Sequence, residues 1–247
     1  MSVSVLEVRD LRCDPGGKYI LDGVSFSLEE GRIYALLGRS GSGKTLLLRI
    51  LAGLWPLQEG SAGICGVSVA DPAARRETGM LVGEPALWGD LSVANNLEMQ
   101  GRLLGKVDRK RMGKLMKALE ILPRHTGRQR IRSCPQSVKT RAALAMALLG
   151  SPKLLLLDDL FAGLDSDDAR LADALLKAET EERGMTTLLT GSHLAPLWQT
   201  ATDFFLLENG RIRAQYSKEE LAARLPEEAT GAALQALQED LWKEGAQ

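Results

Sequence analysis

The segment GRSGSGKT at residues 38–45 has the residue types and spacing of a phosphate-binding loop, G-x-x-x-x-G-K-[ST]. Its glycines let the backbone curve so that N–H groups can surround phosphate oxygens. Lys44 supplies a positive charge for the β- and γ-phosphates, and Thr45 supplies a hydroxyl for Mg²⁺. The pattern predicts a nucleoside triphosphate site without indicating which reaction follows. The loop residues predicted to bind the nucleotide are Gly38, Arg39, Ser40, Gly41, Ser42, Gly43, Lys44, Thr45 and Leu46.

A second stretch, LLLLDDL at residues 154–160, places two adjacent carboxylates after an apolar run. Because the carboxyl ends of parallel strands meet at one edge of a sheet, we expect Asp158 beside the phosphate loop. There it would hold Mg²⁺, directly or through water. Asp159 would face the γ-phosphate and an attacking water. The alternative is that Asp159 only caps the segment that follows it.

The elements that position these residues follow from local patterning. IYALLG at 33–38 is a short apolar run with a β-branched start, which favours a buried strand, and LLLRILAGL at 46–54 has helical periodicity. Strand, glycine loop and helix form one βα unit of an α/β fold. Further strands are predicted at 3–8, 24–28, 154–157 and 186–190, helices at about 166–183 and 194–200, and a hairpin within 203–214 that turns at Asn209-Gly210.

Two other regions have helical patterns. Residues 88–150 contain three such segments, which indicates a helical insertion between βα units. The tail at 217–247 is mostly helical and acidic. It carries apolar residues at helical spacing: Leu234, Leu237, Leu241 and the neighbouring Trp242. We expect this face to pack on the chain's own core, with docking against a partner subunit as the alternative.

The composition excludes several classes of protein. The chain has 247 residues and a net charge of −1, which argues against a nucleic-acid-binding protein held by phosphate contacts. Its three cysteines match no zinc or redox pattern and are interpreted as free thiols, and His125 is interpreted as a surface residue. The first residues do not resemble a signal peptide, and no apolar run approaches the roughly 20 residues that span a bilayer. We therefore expect a cytoplasmic protein that needs a separate partner for any membrane role.

Taken in order, the motifs resemble the ATPase subunits of ABC transporters over residues 3 to about 216. The resemblance implies an α/β fold: a P-loop NTPase core with a mixed sheet flanked by helices, an N-terminal antiparallel β subdomain and an inserted helical lobe. It also implies ATP and Mg²⁺ as cofactors. The expected parts of a single domain, 1–247, are a nucleotide-binding core at 1–87 and 151–216, a helical lobe at 88–150 and a C-terminal helical tail at 217–247.

The resemblance implies roles for further residues. Tyr19, 25 positions before Lys44, matches an aromatic residue that stacks on adenine. Asp165, which ends the segment FAGLD, would touch the opposite nucleotide site of a dimer. His193 resembles the switch histidine that contacts the γ-phosphate. The residues expected to be catalytic are Asp159, His193 and Lys44, and those expected to hold the metal are Thr45 and Asp158.

Three positions depart from the family pattern. Asp159 stands where the family has glutamate, and the lost methylene withdraws the carboxylate by about 1 Å, a misplacement that can cost on the order of 10²-fold in rate. Gly83 stands where the family has a glutamine that senses the γ-phosphate. CPQSV at 134–138 replaces the signature L-S-G-G-Q that binds the partner's nucleotide. Pro135 lacks an N–H, whereas Ser137 can still donate a hydrogen bond, so we expect a weakened contact with the partner's ATP.

The resemblance implies a peripheral subunit at the cytoplasmic face of the membrane. Its partners would be transmembrane permease subunits, docked in a groove near residues 83–105, and a second nucleotide-binding subunit, either a copy of this chain or a dissimilar one. Candidate docking residues, most of them interpreted as lobe core, are Trp88, Leu91, Val93, Leu97 and Met99. Two branches of the family are similar: ATPases of envelope phospholipid trafficking and exporters of lipids, polysaccharides and drugs. We favour the lipid branch.

Two interpretations of the activity follow. In the first the chain is a working but slow ATPase, and in the second it binds ATP as a regulatory or structural half with almost no turnover. A third interpretation is an ABC protein unconnected to transport. The near-neutral charge, the single nucleotide core and the lack of a coiled-coil insertion argue against it.

Overall fold

A six-stranded mixed sheet forms the centre of the fold. The computed structural model describes residues 4–122, 129–226 and 229–244. The strands of the main sheet are β3 (Ile33–Gly38), β6 (Thr78–Leu81), β7 (Leu154–Leu157), β8 (Thr186–Gly191), β9 (Asp203–Glu208) and β10 (Arg211–Ser217). Their order is β10-β9-β3-β8-β7-β6. All neighbours run parallel except β10, which pairs antiparallel with β9 at one edge.

A second, antiparallel sheet is built by the N-terminal part of the chain. Its strands are β1 (Ser4–Cys13), β2 (Leu21–Glu29), β4 (Glu59–Ile64) and β5 (Val67–Ser68), in the order β2-β1-β4-β5. Its buried side chains share a hydrophobic cluster with those of the helix that follows the phosphate loop. The predicted fold class, with a mixed sheet flanked by helices and a separate antiparallel sheet, is confirmed.

Helices lie on both faces of the main sheet and in the segment between β6 and β7. The described α-helices are α1 (Lys44–Leu51), α2 (Val93–Leu103), α3 (Arg109–Ala118), α4 (Gln136–Leu148), α5 (Ser166–Arg183), α6 (Leu194–Trp198), α7 (Lys218–Ala222) and α8 (Gly231–Glu244). Helices α2 to α4 occupy the predicted helical insertion. None of these described helices is both long enough and apolar enough to span a bilayer. His125 lies outside the described residues.

Both faces of the main sheet are covered, which explains the apolar runs in its sequence. In β3, Ile33 and Leu37 belong to one hydrophobic cluster, and Tyr34 and Leu36 belong to the other. A strand buried on both faces reads as a continuous apolar run rather than as an alternation. The two clusters pack against opposite faces of the sheet and so fix the position of its carboxyl edge.

The apolar face of α8 packs on the chain's own core, as predicted. Its buried members are Leu234, Leu237, Leu241 and Trp242. All four belong to the hydrophobic cluster that also contains residues of α5 and α6. The tail is therefore part of the folded body, and this face is not free to dock on a partner.

A buried ion pair joins the inserted helices to the core. The guanidinium of Arg111, on α3, donates to both carboxylate oxygens of Glu179, on α5, at 2.6 Å each. The side chains are only 5% and 2% exposed. Arg111 also donates to the carbonyl of Leu148 at 3.0 Å, so the same guanidinium holds the end of α4.

Candidate functional site

The phosphate loop connects β3 to α1. Gly41 and Gly43 have φ angles of 79° and 101°, left-handed conformations that favour glycine. A Cβ atom at Gly43 would lie 2.7 Å from the side chain of Leu21, so the close approach of the chain also excludes a side chain there. Helix α1 begins at Lys44 without a side-chain cap. Its first N–H groups are therefore available to an anion at the helix end.

The ammonium group of Lys44 lies over this loop. It donates hydrogen bonds to the carbonyls of Gly38 and Arg39 at 2.6 and 3.0 Å, and to Ser192 Oγ at 3.4 Å. Burial lowers the pKa of Lys44, and the nearby carboxylates of Asp159 and Asp158 oppose this shift. The lysine is thus placed between the loop and the two acids that follow β7.

A threonine hydroxyl organises the two acids. Thr190 Oγ1 donates to Asp158 Oδ1 at 2.7 Å and accepts the backbone N–H of Asp159 at 3.0 Å. Asp159 has a left-handed backbone, with φ 48° and ψ 39°, and its side chain makes no capping hydrogen bond to the short helix Leu160–Gly163. Since this side chain is exposed, capping does not account for its carboxylate.

His193 occupies the junction between β8 and α6. Its side chain is exposed and makes no capping hydrogen bond to α6. The preceding residue is Ser192, whose hydroxyl contacts the Lys44 ammonium group. The imidazole therefore has no structural role in α6, and its backbone is one residue from a side chain that touches the phosphate loop.

The strand register brings these groups to one edge of the sheet. Strand β8 lies between β3 and β7. Leu37 of β3 pairs with Gly191, and Leu157 of β7 pairs with Leu189. The phosphate loop, the segment containing His193 and the adjacent aspartates consequently leave three neighbouring strands side by side. This carboxyl edge is where parallel α/β sheets bind ligands.

Tyr19 lies in the connection between β1 and β2, next to the phosphate loop. Its side chain is 44% exposed, and its hydroxyl donates to Glu59 at 2.7 Å. The following residue, Ile20, is close to the loop: a Cβ atom at Gly43 would lie 3.2 Å from Ile20 Cγ2. An exposed aromatic ring therefore stands beside the predicted phosphate site, where a flat base could stack on it.

A family model described as ABC transporter matches residues 21–162. The chain is an ABC transporter ATP-binding domain. The matched range contains the phosphate loop, both adjacent aspartates and the helices inserted between β6 and β7.

Individual relatives of this ABC domain differ in the transport that they are named for. The Nod factor export ATP-binding protein I of Ralstonia nicotianae is 30% identical over 225 residues, which cover 89% of this chain and 69% of that protein. The taurine import ATP-binding protein of Shigella flexneri is 29% identical over 221 residues, 87% of this chain and 86% of that protein. A solved ATP-binding subunit of an ABC transporter superposes with a TM-score of 0.83 at 22% identity, covering 98% of this chain and 100% of that one.

The polar groups of the ABC domain fit ATP with Mg²⁺. The hydroxyl of Ser42, in the phosphate loop, is buried without a hydrogen-bond partner. Within the part of the chain that the structure describes, no group of three or more His, Cys, Asp or Glu side chains could hold a metal alone. Mg²⁺ in nucleotide sites needs only one or two protein oxygens beside phosphates and water. Thr45 and Asp158 provide a hydroxyl and a carboxylate of that kind.

Two residues predicted to reach a partner's nucleotide lie at helix N-termini. Ser137 is in the first turn of α4, which Pro135 precedes without a side-chain cap. The N-terminal end of α4 therefore keeps N–H groups without a side-chain cap. Asp165 is the N-cap of α5, and its Oδ1 accepts the N–H of Asp168 at 2.8 Å. Its side chain is nevertheless exposed.

Gly83, where the family resemblance implies a glutamine, has a left-handed backbone that favours glycine. Gly83 has a φ of 74°. A Cβ atom there would lie 3.5 Å from Nη2 of Arg49, a residue of α1. The chain therefore follows a path at this position that residues with side chains rarely adopt.

Sequence reasoning missed two hydroxyl residues of the site. Thr190 connects the two aspartates, and Ser192 contacts Lys44. The sequence does carry a signal for both. Thr190 lies near the carboxyl end of the buried strand β8, and Ser192 follows the strand directly before His193. Hydroxyl groups in that position face the same edge as the other site residues.

Proposed function

We propose that this ABC domain binds ATP with Mg²⁺, hydrolyses it slowly and couples both steps to movement of transmembrane permease subunits. The observation that carries the proposal is the side-by-side exit of the phosphate loop, Asp158–Asp159 and His193 from neighbouring strands. Their place is the cytoplasmic face of the membrane, where the domain would meet its permease.

Each residue of the site has a role in this mechanism. Lys44 binds the β- and γ-phosphates, and Thr45 and Asp158 hold the metal. Mg²⁺, when bound there, neutralises phosphate charge. Thr190 orients the Asp158 carboxylate through its 2.7 Å hydrogen bond. Asp159 orients the attacking water.

Three further groups complete the nucleotide contacts that we propose. His193 contacts the γ-phosphate, since its imidazole is exposed and uncommitted beside Ser192. Tyr19 stacks on the adenine. Across a dimer interface, Ser137 and Asp165 approach the nucleotide of the second subunit. Because two copies of this chain would place the weakened signature in both sites, we favour a dissimilar partner ATPase.

The experiment that tests this function is steady-state ATP turnover of the assembly, purified with its membrane subunits and reconstituted in phospholipid vesicles. The isolated chain is measured beside it. We expect slow turnover that the membrane subunits stimulate, and ATP-dependent movement of phospholipid, the substrate class that we propose. Turnover without lipid movement would reject the lipid assignment alone, and no turnover in either sample would reject hydrolysis.

An alternative function is that of an ATP-binding half with almost no turnover. The observation that favours it is Pro135, which stands in the signature without an N–H and leaves α4 with no side-chain cap. A site built from this loop would grip the partner's ATP weakly. ATP binding that is retained without turnover in the complete assembly would support this alternative.

We predict that Asp159→Glu raises ATP turnover, by up to about 10²-fold, because the longer side chain returns the carboxylate to the attacking water. The left-handed backbone at this position tolerates aspartate better than glutamate. A loss of folding stability on the order of 1 kcal/mol should accompany the gain. Turnover of the assembly and denaturant unfolding of the chain measure the two effects.

The matched control for this prediction is Asp159→Asn. It keeps the size of the side chain and its tolerance of a left-handed backbone, but removes the charge that orients water. We expect this variant to bind ATP and to lose turnover. Unchanged or reduced turnover in Asp159→Glu would contradict a simple deficit of reach.

A groove between the main sheet and the inserted helices is the proposed docking site for the permease. Its volume is about 610 Å³. Residues that line it include Leu54, Met80, Trp88, Leu103, Leu104 and Met146. Leu103 and Leu104 are 69% and 46% exposed, which is unusual for adjacent leucines and suits an apolar segment of a partner. Val93 and Leu97, two other candidates, are buried in the core instead.

Glutamate at both Leu103 and Leu104 is expected to reduce copurification with the membrane subunits at least tenfold. Each leucine contributes about 1.5–3 kcal/mol when buried, and 1.4 kcal/mol corresponds to a factor of ten in affinity. ATP binding by the isolated chain should not change. Leu122→Glu serves as the control because this leucine is 43% exposed and lies outside the groove lining. If the groove variant and Leu122→Glu copurify equally well with the membrane subunits, the docking surface lies elsewhere.

A further inference from the structure

Helix α8 contacts the nucleotide site from two sides. We infer that α8 positions this site, and that Gln238 acts through His193 by holding the backbone on either side of it. The inference rests on the proposed function, because it assigns α8 a part in placing the γ-phosphate contact. Gln238 is a positioning residue in this scheme, since its own side chain bonds only to the protein.

The side-chain amide of Gln238 bridges the two neighbours of His193. Its Oε1 accepts the N–H of Leu194 at 2.6 Å, and its Nε2 donates to the carbonyl of Ser192 at 3.2 Å. An amide is suited to this bridge because it carries one acceptor and one donor group at fixed separation. The peptide units before and after His193 are therefore held by one side chain from α8.

This bridge replaces a missing helix cap. Helix α6 begins at Leu194, and His193, its N-cap residue, makes no side-chain capping hydrogen bond. The first N–H groups of a helix have no partner within the helix, and a side-chain acceptor is a common way to satisfy them. Gln238 provides that acceptor from outside the helix. The imidazole of His193 consequently remains free for another partner, while the backbone that carries it stays fixed.

A second contact connects α8 to the phosphate loop. The guanidinium of Arg39 lies over the ring of Trp242, 5.4 Å from its centroid. The carbonyl of the same Arg39 accepts a hydrogen bond from Lys44 at 3.0 Å. Trp242 is itself buried in the core, so this cation–π contact ties the loop to a fixed ring. One helix thereby touches two of the three segments that leave the carboxyl edge.

Helix α8 is anchored to the core, and this anchoring allows it to position the segment that carries His193. Leu234, Leu237 and Leu241 fix one face of the helix in the core. Near its end, Arg224 donates to Glu244 at 2.6 Å. Because the helix is held along its length, a side chain on it can set the position of a loop. A shift of about 1 Å at His193 would be large enough to slow the reaction.

The test compares Gln238→Ala and Gln238→Glu with Gln235→Ala in the full chain. Gln235 is exposed on the same helix and serves as the matched control. The chain contains two histidines, so a spectrum of His193→Ala assigns the imidazole ¹H–¹³C resonance of His193. In the absence of nucleotide, we expect this resonance to move or broaden in both Gln238 variants. Alanine removes both hydrogen bonds of the bridge, and glutamate replaces the donor with a carboxylate oxygen that repels the Ser192 carbonyl. The Gln235→Ala spectrum should match the unmodified chain.

Turnover of the assembly gives the second readout. We expect both Gln238 variants to lower kcat about 10- to 100-fold while the KM for ATP changes less than about twofold, since the phosphate loop itself is intact. Spectra of both Gln238 variants that superpose on the unmodified chain, or wild-type kcat in either of them, would overturn the inference. Failure of the proposed function can be distinguished from failure of this inference. If the proposed function is wrong, Mg²⁺ and ATP leave the His193 resonance of the unmodified chain unchanged. The comparison of nucleotide-free spectra still tests Gln238 in that case.

Discussion

Lys44→Ala is expected to reduce the affinity of the ABC domain for ATP by at least about a hundredfold. The ammonium group is already held over the phosphate loop by two carbonyls, so it needs little rearrangement to meet the phosphates. A hydrogen bond to a charged group contributes about 1.5–3 kcal/mol, and 1.4 kcal/mol corresponds to a factor of ten. Two such bonds, to the β- and γ-phosphates, account for the expected loss.

Equilibrium binding of ATP with Mg²⁺ to the isolated chain measures this effect without requiring turnover. Lys110→Ala is a suitable control because Lys110 is exposed on α3. Its replacement removes the same charge at a position far from the loop in sequence. The control should bind ATP like the unmodified chain. ATP affinity that survives Lys44→Ala would remove this loop from the nucleotide site.

The second large effect concerns folding rather than nucleotide. Arg111→Ala should destabilise the chain by about 3 kcal/mol, because it leaves the buried carboxylate of Glu179 with only the half-exposed guanidinium of Arg183, 3.3 Å away. Glu179→Ala should cost a similar amount. Replacing both residues together, with Arg111→Met and Glu179→Leu, should recover most of the loss, since a buried pair can be exchanged for apolar side chains at little cost.

Denaturant unfolding of the purified chain measures these differences. The same two helices provide the control: Lys114 and Glu182 form an ion pair at 2.9 Å whose side chains are 52% and 58% exposed. Removing either member should change the free energy of unfolding by no more than about 1 kcal/mol. Equal effects at the buried and the exposed pair would show that burial does not decide the strength of the connection between α3 and α5.

The parts of the fold that the sequence predicts are those specified by neighbouring residues. Apolar runs at 33–38 and 154–157 give β3 and β7 with the same bounds as in the structure. Asn209 and Gly210 have φ angles of 49° and 74°, which confirms the tight hairpin turn expected of this dipeptide. The phosphate loop is predictable for the same reason, since its glycines, lysine and threonine are consecutive in the chain.

Three strands were not predicted, because pairing with distant segments defines them. In β4, EGSAGI, only Ala62 and Ile64 are buried, so the sequence shows too little alternation to indicate a strand. This strand pairs with β1, for example through Leu6 and Ile64, which are more than fifty residues apart in the chain. β5 has two residues, and β6 has four and lies along β7. Such short strands depend on their neighbours more than on their own propensity.

The same distinction applies to the candidate site. Lys44, Asp158, Asp159 and His193 can be selected from motifs, because each motif is local. The bridge from Gln238 spans 44 and 46 residues, and the Arg39–Trp242 contact joins opposite ends of the chain. No local pattern indicates these contacts. They depend on how α8 packs, which only the three-dimensional arrangement of the core decides.

The left-handed turn at Gly83 has a consequence for engineering at this position. A glutamine at this position, which the family resemblance implies, would adopt a backbone conformation that costs about 1–2 kcal/mol for ordinary residues. Its Cβ atom would lie in ordinary contact with the guanidinium of Arg49, at 3.5 Å. The present backbone therefore disfavours glutamine at this position by about that amount. A substitution that restores a long amide side chain here would start with a stability penalty, so engineering of a faster enzyme would begin elsewhere in the site.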